Sequence, residues 1–202
     1  LIDEEGGSVS RLNKFIDNSM FSSNFFCKLY LKDKKKFIIY YNAYIKQISY
    51  LLKLIGVNIN TVPVLDVRRK ITNNIIGSRS YSSNQRLVSK LGKICINIFH
   101  QNFIGTVIKH IPGHGLSKVD SHINLPIVNK SQTILNKIDF FPFKRQKSLL
   151  AMTAHIIFTS IDSQNTATHS KKVINVIRKK IGFKNILISD DISMKALKYS
   201  IS

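Results

Sequence analysis

Thr106-Val107-Ile108-Lys109-His110, breaking into Ile111-Pro112-Gly113-His114-Gly115, reads as a short strand of branched apolar residues that delivers polar side chains to a turn. The same plan recurs at residues 1–3, 60–66, 149–155 and 186–190, where β-rich runs end in Asp3, Asp66, His155 and Asp190. Longer segments with helical periodicity lie between them. Residues 34–54 place Phe37, Ile38, Tyr41, Ile45, Ile48, Leu51 and Leu52 close to a 3.6-residue repeat, with Gly56 as a stop. Residues 85–103 read the same way, as do 171–181 with Gly182 behind them. Strands alternating with helices imply parallel β/α units. Polar residues collected at the strand C-terminal ends fit either a (β/α)₈ barrel or a doubly wound sheet. No Gly-rich phosphate loop follows any strand, which favours an α/β fold of the (β/α)₈ TIM-barrel type.

Composition bounds the rest. At 202 residues and 44% apolar content, the chain can bury a sizeable core as one domain. Cys27 and Cys95 are far apart in helix-like apolar stretches and read as buried thiols in a reducing compartment. No window has the roughly 18 uninterrupted apolar residues of a membrane span, and the first residues are acidic, so the expected location is the cytoplasm, without membrane partners. The net charge of +20 raises nucleic-acid binding as a function class. The lysines, however, are spread among many Ile and Asn residues, as an A/T-rich coding bias produces, and no RNA-binding aromatic motif or zinc knuckle is present. The eleven acids are more telling. Asp3, Glu4, Glu5, Asp66, Asp120, Asp162, Asp190 and Asp191 lie at the ends of apolar runs or in the loops that follow.

Three segments concentrate chemistry. The first leads from Lys109-His110 through His114 to Asp120-Ser121-His122. Asp120 and His122 are close enough in a turn for the carboxylate to hold one ring nitrogen and leave the other for a substrate. The alternatives are histidines that pack the loop, or a metal site, although His-x₃-His-x₇-His across a Pro/Gly loop is a weak ligand pattern. In the second segment the strand Ile186-Leu187-Ile188 delivers Ser189-Asp190-Asp191, where an acid is either catalytic or a helix cap. In the third, Asp3-Glu4-Glu5-Gly6-Gly7 precedes Arg11, so Asp3 either accepts from sugar hydroxyls or pairs with Arg11.

Together these residues resemble the bacterial β-N-acetylglucosaminidases (β-hexosaminidases) of glycoside hydrolase family 3. Ile-Asp-x-Glu-Gly-Gly-x-Val-x-Arg matches from Ile2 to Arg11, and Ala/Val-Pro-Val-Leu-Asp-Val from Val62 to Val67. Gly-x-Arg-Ser matches from Gly77 to Ser80, and Lys-His-x-Pro-Gly-His-Gly from Lys109 to Gly115. Asp-Ser-His-x-x-Leu-Pro follows from Asp120 to Pro126, Met-Thr-Ala-His from Met152 to His155, and Ser-Asp-Asp-x-Ser-Met from Ser189 to Met194.

The resemblance implies Asp190 as nucleophile, His122 as general acid/base and Asp120 as its orienting partner. It implies that Asp3, Arg11, Arg79, Lys109 and His110 hold the N-acetylglucosamine unit, with no metal and no cofactor. Retention through a covalent glycosyl-enzyme is expected, on a muropeptide of peptidoglycan recycling or a chitooligosaccharide, by a monomer without nucleic acid. Retaining hydrolysis conventionally uses two carboxyl groups, and a histidine near pKa ~6.5 can replace the second. Ser8 stands where the family commonly has arginine, and Leu116 where a small polar residue is frequent. Five strands are legible where a closed barrel has eight. The expectation is therefore one catalytic barrel domain over residues 1–202, incomplete at both ends, and an inactive remnant is the rival reading.

Overall fold

The computed structural model describes residues 1–69, 76–117, 125–194 and 197; Asp120 and His122 lie outside the described residues. The helices are α1 (Ser23–Lys32), α2 (Lys34–Leu54), α3 (Gln85–Gln101), α4 (Gln132–Lys137) and α5 (Lys171–Val176). The strands are β1 (Ile59–Asn60), β2 (Gly105–Ile111), β3 (Ile127–Val128), β4 (Leu150–Thr153), β5 (Ile157–Phe158) and β6 (Ile186–Ser189).

Each α-helix opens on a side-chain cap that satisfies an orphan backbone N–H. Ser22 accepts from Phe25 N, Asn84 from Arg86 N and Leu87 N, Ser131 from Ile134 N, and Ser170 from Val173 N. Asp33 serves twice: it closes α1 through its backbone N–H and opens α2 by accepting from Lys36 N. α2 spans the periodic segment and buries Phe37, Tyr41, Ile45, Ile48 and Leu52 of the expected set, while Leu51 is half-buried and Ile38 is exposed. α1 is the helix-like stretch around Cys27, bounded by the caps at Ser22 and Asp33. The segment expected as one helix over 171–181 is α5 followed by a wider π-helical turn, Ile177–Ile181, ending at Gly182 with φ of 83°.

β1, β2, β4 and β6 form a sheet in that order with every pair parallel. Ile2 adds a parallel bridge to Asn60, so five extended segments lie side by side in chain order, without reversal. β3 and β5 form a separate two-stranded parallel sheet that the sequence did not reveal. The run expected over 60–66 pairs only at its ends, through β1 and a bridge from Val64 to Lys109. Pro63, which has no N–H to give, sits between them and accepts from Lys109 N through its carbonyl.

Ile108, Ile111 and Ala151 from the sheet share one core with Phe37, Leu52, Leu91, Ile96 and Phe99 from the helices. Cys95 and Cys27 are free and buried. Burial pushes the Cys95 thiol up to about 11, against the Tyr41 and Tyr81 hydroxyls, which are 2.6 Å apart. No described helix is long and apolar enough to cross a membrane.

Gly92 lets α3 pack closely on the segment after β1, because a Cβ there would collide with the Leu65 side chain, itself fully buried. In an open helix Gly→Ala gains roughly 1 kcal/mol. Here overpacking outweighs propensity, and Gly92→Ala is expected to cost about 1–3 kcal/mol in denaturant unfolding.

Candidate active site

The C-terminal ends of the parallel segments open on one cleft of about 160 Å³. Asp3, Arg11, Arg79, Lys109, His110 and Asp190, expected from sequence, all line it. Consecutive strand residues ordinarily point to opposite faces. Lys109 and His110 both reach the cleft because β2 bulges: Lys109 pairs with Met152 and Ile111 with Thr153, leaving His110 as the extra residue. The peptide between Lys109 and His110 is cis.

Lys109 is 3% exposed, and its ammonium is held by three groups. Nζ lies 2.8 Å from Asp3 Oδ1, 2.6 Å from Glu5 Oε1 and 2.9 Å from Thr61 Oγ1. Thr61 also donates to Asp3. Arg79 grips Glu5 in a fork, Nε to Oε2 and Nη2 to Oε1, both at 2.8 Å. Burial raises the Glu5 carboxyl, but Lys109 and Arg79 outweigh it and hold the group below its ordinary value. Asp3 behaves alike, with Lys109 overcoming burial. The ion pair at Asp3 is thus made with Lys109 rather than with Arg11, which is exposed on the cleft rim.

The loop that carries these acids is shaped by Glu4. Its carboxylate accepts from Arg11 N at 2.7 Å, Leu12 N at 2.9 Å and the Asn18 amide at 2.5 Å. Asn60 fixes the Glu4 backbone from the neighbouring strand.

Beneath the cleft, Asp66 is fully buried and accepts from His110 Nδ1 at 2.7 Å and from His114 N at 2.6 Å. Burial raises its carboxyl, but the two histidines prevail and hold it below the usual range. His114 itself is pushed down to about 4, first by burial and then by His110, so its ring is neutral at pH 7. Gly115 packs on the Val67 backbone, where a Cβ would strike the carbonyl oxygen.

Asp190 follows β6 with its side chain 26% exposed, and Oδ2 lies 3.9 Å from His110 Nε2. Asp190 Oδ1 accepts from Asp191 N at 2.9 Å, while Asp191 Oδ1 accepts from Ser193 N at 2.8 Å and the Asp191 carbonyl lies 3.1 Å from His155 Nε2. Because a carbonyl only accepts, His155 carries hydrogen on Nε2, and Nδ1, 2.7 Å from Thr168 Oγ1, is left to accept. Burial lowers the His155 ring below its ordinary value. Among the described residues no group of three or more His, Cys, Asp and Glu could hold a metal ion.

The model of the glycosyl hydrolase family 3 N-terminal domain matches residues 1–202. The chain belongs to glycosyl hydrolase family 3. It is 30% identical over 212 residues to β-hexosaminidase A of Pseudoalteromonas piscicida, covering 97% of this chain and 35% of the relative. It is 35% identical over 143 residues to a β-hexosaminidase of Tolumonas auensis, covering 69% and 42%. The chain thus spans less than half the length of either relative. Among solved structures, a family 3 β-N-acetylglucosaminidase from Paenibacillus superposes with a TM-score of 0.83 at 28% identity, over 98% of this chain and 37% of that one. NagZ from Neisseria gonorrhoeae, in complex with N-trifluoroacetyl-D-glucosamine, also gives 0.83 at 28% identity, over 95% and 57%.

In this family 3 chain the side chains that organise the cleft include three at strand ends to which the sequence assigned no role in the site. Glu5 pairs with both Lys109 and Arg79, Asp66 holds His110, and His155 holds the turn after Asp190. Glu5 and Asp66 were visible as acids closing apolar runs; nothing in the sequence joined them to their partners, which are 104, 74 and 44 residues away.

Glu5→Gln leaves Lys109 and Arg79 short of a buried counter-charge and is expected to cost about 3 kcal/mol at pH 7. A carboxyl whose folded pKa is depressed stabilises fully above its unfolded value, near ~4.3, and loses that contribution as pH falls through the folded value. The gap between wild type and Glu5→Gln in urea unfolding should therefore narrow below pH ~4; a gap independent of pH would assign Glu5 to packing alone.

Proposed function

We propose that residues 1–202 are the catalytic domain of a retaining β-N-acetylhexosaminidase built on a (β/α)₈ barrel and acting on terminal β-linked N-acetylglucosamine. The observation that carries this reading is the delivery of Asp190, by a strand end, into the same cleft as the Lys109, Asp3, Glu5 and Arg79 network in a family 3 chain. The barrel is supported by the sequential parallel order of the segments from Ile2 to β6, since a doubly wound sheet reverses its order at a switch point. The names of the relatives support the N-acetylglucosamine specificity. The natural substrate on this reading is an N-acetylglucosamine-containing muropeptide of cytoplasmic cell-wall recycling.

Ionised Asp3 and cationic Lys109 offer a sugar an acceptor and a donor side by side, with Arg11, Arg79 and His110 completing its grip. The Asp190 carboxylate attacks the anomeric carbon, forming a C–O bond as the glycosidic bond breaks. His122, oriented by Asp120, protonates the departing oxygen. It then removes a proton from water, whose oxygen displaces Asp190 and restores the β-configuration. Asp191, which does not line the cleft, is not a competing nucleophile.

A chromogenic β-N-acetylglucosaminide should be hydrolysed and the matching β-glucoside should not. Asp190→Asn is expected to lower kcat at least about 10³-fold, and Asp191→Asn much less; near wild-type turnover by Asp190→Asn would reject the assignment. His122→Ala should lose about 10²–10⁴-fold on a disaccharide and less on a nitrophenyl glycoside, whose leaving group needs little protonation. Equal losses on both substrates would make His122 a binding residue.

A further inference from the structure

Asp66 does not line the cleft, yet it is fully buried, and each of its oxygens has a distinct duty. Oδ2 faces the His110 ring at 2.7 Å from Nδ1, while Oδ1 takes the His114 backbone N–H at 2.6 Å. The His110 backbone N–H lies 3.3 Å from both oxygens. An amide in this place could serve the backbone with its oxygen, but it would present a donor to the ring. Only a carboxylate accepts on both sides, so its buried charge does something that a neutral isostere would not.

We propose that Asp66 is a positioning residue that locks His110 in the form with hydrogen on Nδ1, leaving Nε2 to the cleft and Asp190. The inference rests on the hydrolase reading for its kinetic consequence, though not for its geometry. An ionised carboxylate cannot donate, so the ring nitrogen beside it carries the hydrogen. Nε2, 3.9 Å from Asp190 Oδ2, is then the nitrogen that meets the bound sugar. In the neutral ring it accepts from a hydroxyl. Asp66→Asn keeps the shape and the His114 contact but offers an N–H to Nδ1, which turns the ring over to hydrogen on Nε2 and replaces that acceptor with a donor.

The test is made on the full chain labelled with ¹⁵N-histidine. The His110 signals are assigned by their loss in His110→Gln, and turnover of the chromogenic N-acetylglucosaminide is measured in parallel. The wild type is expected to show hydrogen on Nδ1 and Asp66→Asn hydrogen on Nε2, with kcat/KM lower by about 10- to 100-fold. If Asp66 acts through His110, the double variant should be no slower than His110→Gln alone. A wild-type neutral ring protonated on Nε2, or fully additive losses in the double variant, would overturn the proposal. Should Asp66→Asn fail to fold, the wild-type spectrum still decides the tautomer. A wild type with an Nδ1-protonated ring and no turnover would reject the hydrolase reading and leave the tautomer lock standing.

Discussion

The interaction on which the site depends is the burial of the Lys109 ammonium. A charge removed from water must be paired and hydrogen-bonded or it destabilises the fold. Here the partners come from two other extended segments: Asp3 and Glu5 from the first, and Thr61 from just beyond β1. Satisfying one cation therefore draws three strand ends together, and Glu5 carries the constraint on to Arg79. The cleft is the space these compulsory contacts leave open.

Much of this was legible in the sequence where local rules decide. The helix over 34–54 follows from its apolar period, and the acids closing apolar runs mark the face on which the cleft opens, because parallel β/α folds gather polar groups at their strand C-terminal ends. What stayed hidden depends on contacts remote in sequence. The Glu5 pairings, the Asp66 to His110 bond and the β3–β5 pair each join residues that no period or spacing connects. The bulge at His110 defeats an alternation rule that would have sent Lys109 and His110 to opposite faces. The Pro in the 60–66 run was a readable signal that this strand would pair only in pieces.

Asp190 and Asp191 illustrate how environment assigns roles to identical side chains. One is aimed into the cleft beside His110; the other is spent on Ser193 and, through its carbonyl, on His155. Both carboxylates accept a local backbone N–H, so what separates them is placement: Asp190 lines the cleft and Asp191 does not.

The thiol of Cys95, packed between two tyrosine hydroxyls and pushed up to about 11, has a practical consequence. Alkylating reagents and oxidants attack the thiolate, and at neutral pH this core holds almost none within reach of solvent. Modification of Cys95 has to wait for the contacts with Tyr41 and Tyr81 to open, so the pace of labelling at Cys95, read apart from Cys27, clocks the opening of the core in native buffer.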